Sequence, residues 1–204
     1  MRETNLEDTS YFLQRFIKSP KNIASVLPSS RYLAEHMFRG LDLVDGDVLI
    51  EYGPGTGSFT WEVERLRQAG VDITYLGVEK DPGMHQYLTR RFTDLDFVLG
   101  DAVDTVAYCR QRGLPSAAAV VSGLPLILMQ SRDLFGIVNA TRDCLRPDGI
   151  FRTFSYVHSY PSRRAGLLRG LMQRCFRDFD LSRPVVRNVP PAFLYTGRYP
   201  RTPS

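Results

Sequence analysis

Apolar residues fall in short continuous runs separated by longer amphipathic stretches, and that rhythm predicts an α/β chain. Val48–Tyr52, 73–79, Asp96–Leu99 and Ala117–Ser122 read as strands, the last so uniformly apolar that both of its faces must be covered. Between and after them, 58–69, Pro82–Arg91, 102–112 and 131–145 place apolar residues at helical spacing. Pro147-Asp148-Gly149 then makes a turn into a fifth strand at 150–155. Parallel neighbours need a crossover, so strand and helix in alternation predict a doubly wound parallel sheet with ligand sites along its carboxyl edge. The end of the chain breaks the rhythm. Residues 181–187 and 193–199 read as strands with too few residues between them for a helix, hence as an antiparallel hairpin.

The junction after the first strand carries the most chemistry. Glu51-Tyr52-Gly53-Pro54-Gly55-Thr56-Gly57 sets an acid two positions before a G-x-G-x-G turn. Glycines admit positive φ and let a ligand approach the backbone, and the following helix offers unpaired N–H groups to a carboxylate. Pyrophosphate ligands normally take the wider G-x-G-x-x-G, so this spacing suits a nucleoside that carries a carboxylate instead. Glu79 ends the second strand where a carboxylate accepts ribose hydroxyls, and Asp101, before Ala102, ends the third within reach of an adenine amino group. Ser122 ends the fourth on the same edge. Glu51, Gly53, Gly55, Gly57, Glu79, Asp101, Ala102 and Ser122 are therefore the expected site for S-adenosylmethionine, which leaves as S-adenosylhomocysteine. Plainer roles stay open for the acids: Asp101 as a helix cap, Glu79 as a solvated turn residue, Glu51 as an acceptor that orients the loop.

Composition adds limits. A chain of 204 residues, 43% hydrophobic and 24% charged, fits one compact domain, without linker, low-complexity segment or repeat. Cys109, Cys144 and Cys175 are far apart and lack metal-ligand partners, so reduced structural thiols and no metal site are expected. No apolar run approaches bilayer length, and no leader pattern opens the chain. Charge is uneven: residues 35–160 are net negative by five, whereas from Pro161 onward nine arginines face only Asp178 and Asp180. Between Thr9 and Ala34 lie Arg15, Lys18, Lys21 and Arg31 with no acid. Basic ends suit an anionic surface.

Apolar spacing chooses the surface. Tyr11, Phe12, Leu13, Phe16 and Ile17 recur at helical spacing beside Arg15, Lys18 and Lys21, the pattern of an amphipathic helix lying in a membrane interface. A second such stripe runs from Arg163 to Arg177; for either one, packing on the domain itself is the competing reading. Ser29 or Ser30 is placed to cap a helix at Arg31–Phe38.

A mainly parallel seven-stranded sheet with a terminal antiparallel hairpin resembles the class I S-adenosylmethionine-dependent methyltransferases, a Rossmann-like α/β fold. More particular segments narrow the likeness. Phe12-Leu13-Gln14-Arg15-Phe16-Ile17-Lys18-Ser19-Pro20, Ala24-Ser25-Val26-Leu27-Pro28-Ser29-Ser30-Arg31-Tyr32-Leu33-Ala34, the glycine loop, Ser122-Gly123-Leu124-Pro125 and Arg187-Asn188-Val189-Pro190-Pro191-Ala192 together resemble the bacterial phospholipid N-methyltransferases. The resemblance implies an amphipathic membrane-binding and cofactor-covering segment at 1–34, and a methyltransferase domain at 35–204. It implies stepwise methylation of the phosphatidylethanolamine amine towards phosphatidylcholine, by a monomer held at the cytosolic face of a bacterial membrane. Members with similar motifs act on ornithine lipids. The loop with a following Leu-Pro is also similar to rRNA adenine dimethyltransferases. Ser122 and Leu126, however, stand where those enzymes carry an amide or acid and a tyrosine, and without them a flipped base is neither held nor stacked, so nucleic acid is not an expected partner.

An amine must shed its proton to attack a sulfonium methyl. His158, just beyond the fifth strand, is the expected base, with water or the Ser122 carbonyl as the other relay, and Tyr156 and Tyr160 offer ring faces to a methylated cation, with core packing as their competing role. Arg187, Asn188, Lys18 and Lys21 are the expected contacts of the lipid headgroup.

Overall fold

The computed structural model describes residues 30–202, so the amphipathic stretch at 11–18, with Lys18 and Lys21, lies outside the described residues. Helix α1 is Arg31–Phe38; β1, Val48–Tyr52; α2, Thr60–Gln68; β2, Thr74–Glu79; α3, Pro82–Arg91; β3, Asp96–Leu99; α4, Thr105–Gln111; β4, Ala117–Ser122. They are followed by α5, Ser131–Cys144; β5, Leu145–Tyr156; α6, Arg163–Cys175; β6, Phe176–Leu181; and β7, Ala192–Pro200. The strands form one sheet in the order β3-β2-β1-β4-β5-β7-β6, parallel except that β7 runs antiparallel to both neighbours.

Every residue of β1 and β4 is buried, because helices cover both faces. On one face Leu33 and Met37 of α1, Val63 of α2 and Leu88 of α3 pack on Leu49, Ala119 and Leu194. On the other, Leu134 and Ile137 of α5 and Leu168 of α6 pack on Ile50, Val120 and Phe151. Alternate residues of one strand thus serve opposite clusters. Helix α1 crosses residue 34 without a break, and Leu33 and Ala34 share the core with Met37.

The final hairpin forms, yet its first strand lies earlier than 181–187. Helix α6 passes directly into β6 at Phe176. Arg177, Asp178 and Asp180 are exposed on this edge strand and conceal its alternation, as charges on edge strands commonly do. Downstream, Pro184 has no N–H to offer a ladder, and only an isolated bridge between Val185 and Ala192 remains. Pro147-Asp148-Gly149 is a bulge inside β5, where the register against β4 slips between Ala117 and Ala119. The helix expected at 102–112 divides into a 3₁₀ turn, Ala102–Asp104, and α4. All three cysteines are free and buried.

Candidate functional site

The glycine loop leaves β1 in a conformation that only glycine adopts freely. Gly53, Gly55 and Gly57 have φ of 61°, 56° and 84°, and a Cβ on Gly53 would lie 2.5 Å from Leu124 Cδ2. Gly123 packs against the same turn: its N–H donates to Tyr52 O at 2.8 Å, and a Cβ there would stand 2.8 Å from Gly53 O. The motif Ser122-Gly123-Leu124 is therefore the wall on which the glycine loop rests.

Two carboxylates stand beside the loop, and one of them, Glu79, holds it by a hydrogen bond. Glu79 Oε2 accepts the Gly55 N–H at 3.0 Å, and its Oε1 accepts that of Asp81 at 2.9 Å. Burial raises its proton affinity above the usual carboxylate range, partly offset by these backbone donors. Glu51 is fully buried; Oε2 accepts the Tyr75 hydroxyl at 2.7 Å and the Thr60 hydroxyl at 3.0 Å. Its other oxygen finds no partner among the described residues. Desolvation pushes its pKa up to about 7 despite the two hydroxyl donors. Asp101 does cap the next turn, accepting the Val103 N–H at 3.2 Å, and its second oxygen pairs with Lys80 Nζ at 2.6 Å. Burial pushes its carboxyl up, but Lys80 and the N–H donors outweigh that and hold it below the ordinary value. Ala102 is buried beneath this cap. Ser122 is fully buried, its Oγ accepting the Leu124 N–H at 3.3 Å and its carbonyl the Thr153 hydroxyl at 3.4 Å.

Further along the same edge, β5 ends in Tyr156 and a 3₁₀ turn, Val157–Ser159. The exposed His158 ring stacks on Tyr156, centroids 5.7 Å apart and planes 11° from parallel. Tyr160 is not brought to them. It packs on Phe193 at 5.2 Å, on the opposite face of the sheet from Tyr156, and Arg169 already lies over its ring at 4.3 Å. Arg187 is exposed, its guanidinium 5.3 Å from the centre of the Tyr32 ring. Asn188 is only 3% exposed and works as a clasp: Oδ1 accepts both the Ser30 N–H at 3.2 Å and the Ser30 hydroxyl at 2.6 Å, while Nδ2 donates to Pro190 O at 2.6 Å. Ser30 Oγ in turn caps α1 by accepting the Leu33 N–H at 3.2 Å. Val157 N–H donates to Pro191 O at 2.8 Å, so the α1 cap, the 188–191 segment and the His158 turn form one hydrogen-bonded unit.

Among curated proteins, the chain is 32% identical over 202 residues to the ornithine lipid N-methyltransferase of Singulisphaera acidiphila, covering 95% of this chain and 97% of that one. The chain belongs to that methyltransferase family. Among solved structures, the methyltransferase superposes on the CMeT domain of the citrinin polyketide synthase, with TM-score 0.65, 15% identity, and coverage of 94% of this chain and 60% of that one. It also superposes on a TehB-like S-adenosylmethionine-dependent methyltransferase of Corynebacterium glutamicum, with TM-score 0.57, 12% identity, and coverage of 96% and 100%. These two establish the fold. No family model matches the chain. The cofactor is S-adenosylmethionine.

The residues of this methyltransferase suit that cofactor. The glycine turn admits a ligand where any Cβ would be strained, Glu79 retains lone pairs beside the loop for ribose hydroxyls, and the unpartnered Glu51 oxygen waits for a donor. Tyr75 and Thr60, which orient Glu51, escape a sequence reading, because only the folded sheet brings them to it. Their sole trace is a hydroxyl within each otherwise buried segment. Asn188→Ala is expected to lower stability by about 1–3 kcal/mol, since it strands the Ser30 donors and Pro190 O. Urea unfolding measures this, and an unchanged midpoint counts against the clasp.

Proposed function

We propose that this methyltransferase transfers methyl groups to the amine of a membrane aminolipid, with an ornithine lipid as first substrate and phosphatidylethanolamine, towards phosphatidylcholine, as second. The relationship along nearly the whole chain to an ornithine lipid N-methyltransferase carries this reading. The motif resemblance to phospholipid N-methyltransferases supports the second substrate. Structure weighs against a nucleobase: Leu126, at the position where a stacking ring is needed, is buried in the core.

In this reading Glu51, the Gly53-to-Gly57 loop and Glu79 bind the donor, which supplies an electrophilic methyl group. Alignment by the rigid edge removes much of the cost of bringing amine and methyl together. His158 Nε2 or Nδ1 accepts the proton the ammonium must lose, while Tyr156, half-buried and stacked against it, fixes the imidazole and presents an aromatic face to the methylated cation. Arg187 takes the lipid anion, carboxylate or phosphate, with its fork. Lys18, Lys21 and the amphipathic stretch at 11–18 attach the enzyme to the cytosolic surface of the bilayer.

Purified protein with labelled donor, offered ornithine-lipid vesicles, phosphatidylethanolamine vesicles and ribosomal RNA in turn, tests the proposal. Label is expected in lipid; label confined to RNA refutes it. His158→Ala is expected to cut lipid turnover roughly 100-fold, leaving donor affinity intact. Full turnover by this variant assigns the proton to another group.

A further inference from the structure

The loop joining β6 to β7 has a composition its fold does not require. Ser182-Arg183-Pro184-Val185-Val186-Arg187-Asn188-Val189-Pro190-Pro191 carries two arginines and no acid, and the basic character continues through Arg198 and Arg201 without an acid from Ser182 to Thr202. Its valines divide sharply. Val185 is buried against Ala192 and Leu194, whereas Val186 and Val189 are 71% and 79% exposed. Exposed valines are ordinary singly; here two flank Arg187 on one short loop, with Tyr32, itself 42% exposed, beneath the guanidinium.

The loop is also rigid where it matters. Val185 N–H donates to Ala192 O at 2.7 Å, Asn188 N–H to Val185 O at 3.2 Å, and the Asn188 amide is clasped on both sides, to Ser30 and to Pro190. Pro184, Pro190 and Pro191 restrict it further. Burying Asn188 and Val185 necessarily turns their neighbours outward, so both valines are displayed in a conformation already set, and docking costs little ordering. Arginine with an exposed tyrosine and protruding aliphatic side chains is the chemistry of a membrane interface, where the cations meet lipid anions and the apolar groups enter the boundary of headgroups and chains. The loop also ends at Ala192, opposite Tyr156 in the ladder, at the carboxyl edge that carries the cofactor loop and His158.

We propose that residues 182–191, with Tyr32, form a docking surface for the anionic lipid bilayer within the folded domain, Val186 and Val189 entering the interface and Arg183 and Arg187 meeting headgroup anions. It acts besides the 11–18 segment and sets the height and tilt at which a lipid amine meets the site. The inference rests on the aminolipid reading for its purpose, but its test does not.

The test is flotation of the full chain with vesicles of phosphatidylglycerol and phosphatidylethanolamine, comparing the parent with Val186→Asp/Val189→Asp. Both side chains are exposed and outside the core, and thermal melting checks that the fold is kept. The double variant is expected to bind at least about tenfold more weakly, and added salt or neutral phosphatidylcholine vesicles are expected to weaken the parent likewise. In a Trp61→Phe background, Val189→Trp is expected to shift its emission to the blue on anionic vesicles. Parent-like flotation of the double variant with no shift at position 189 overturns the proposal, including the case in which residues 1–29 carry all the attachment. Turnover on detergent-dispersed ornithine lipid separates the two readings: there the double variant is expected to match the parent. A parent inactive on every dispersed aminolipid defeats the substrate assignment, while flotation still decides the loop.

Discussion

Glu51→Gln is expected to gain about 3 kcal/mol of stability over the parent as pH rises from about 4.5 to about 8 in the absence of cofactor. The sign follows from the direction of the shift. Burial raises the Glu51 pKa from 4.5 to about 7, so the folded parent holds this proton more tightly than the unfolded chain. The stability it confers is fully present below pH 4.5 and is lost as pH climbs through about 7, where a charge must form with no cation against it. Glutamine never ionises. Its own constant cost, an amide proton facing the site of the unpartnered oxygen, is the same at both ends of the range and drops out. Glu79, raised by its own burial, titrates in the same direction in both proteins. Urea unfolding across the pH series measures the difference, and a constant gap between the two proteins contradicts the assignment. Donor affinity is expected to move oppositely, falling roughly 10- to 100-fold in the glutamine variant as a charged hydrogen bond is lost. Titration calorimetry reads that loss.

The second large effect belongs to Arg152. Only 5% exposed, it sends Nη1 to the carbonyls of His36, Met37 and Arg39 at 3.3, 3.0 and 2.8 Å, and Nε to Thr196 Oγ1 at 3.2 Å. One guanidinium thus satisfies the open C-terminal carbonyls of α1 and ties that helix to β7. Desolvation lowers its pKa to about 10, with nearby Arg198 adding to the effect, so it stays charged at neutral pH. Arg152→Met is expected to cost on the order of 3 kcal/mol or more, because the buried Met37 carbonyl and the partly buried carbonyls of His36 and Arg39 lose this side-chain donor. Arg152→Lys recovers only part, since a single ammonium cannot reach the carbonyls and Thr196 together. The loss is expected to concentrate in α1, whose amides should exchange faster while those of β1 and β4 stay protected. Uniform acceleration across the sheet would contradict this.

The sheet and the glycine turn were readable in the sequence for a simple reason. Central parallel strands are buried on both faces, so Val48–Tyr52 and Ala117–Ser122 appear as unbroken apolar runs, and the glycine turn must be spelled by glycine. The edge strand was not readable. Asp178 and Asp180 face water there, while Val185 and Val186 imitate a strand three residues or more downstream. Asp101 shows a different limit: its place after a strand and its cap of the next turn were readable, yet only the structure reveals that its second oxygen pairs with Lys80. The turn that follows β5 separates the tyrosines, for Tyr156 at the strand end faces the α1 side while Tyr160, beyond the 3₁₀ turn, rests on Phe193 across the sheet. Asn188 looked like a headgroup contact beside Arg187. Its bond to Ser30 spans 158 positions, a pairing that no local pattern encodes.

The central claim is that this edge brings a sulfonium donor to a lipid amine. Mass spectrometry of lipid extracts tests it most directly, from cells that make ornithine lipid and phosphatidylethanolamine and express either this chain or its Glu79→Ala variant. The account predicts aminolipids carrying successive methyl increments with the parent chain and none with the variant. An unchanged lipid profile with the parent chain, expressed, folded and binding its cofactor, would contradict it.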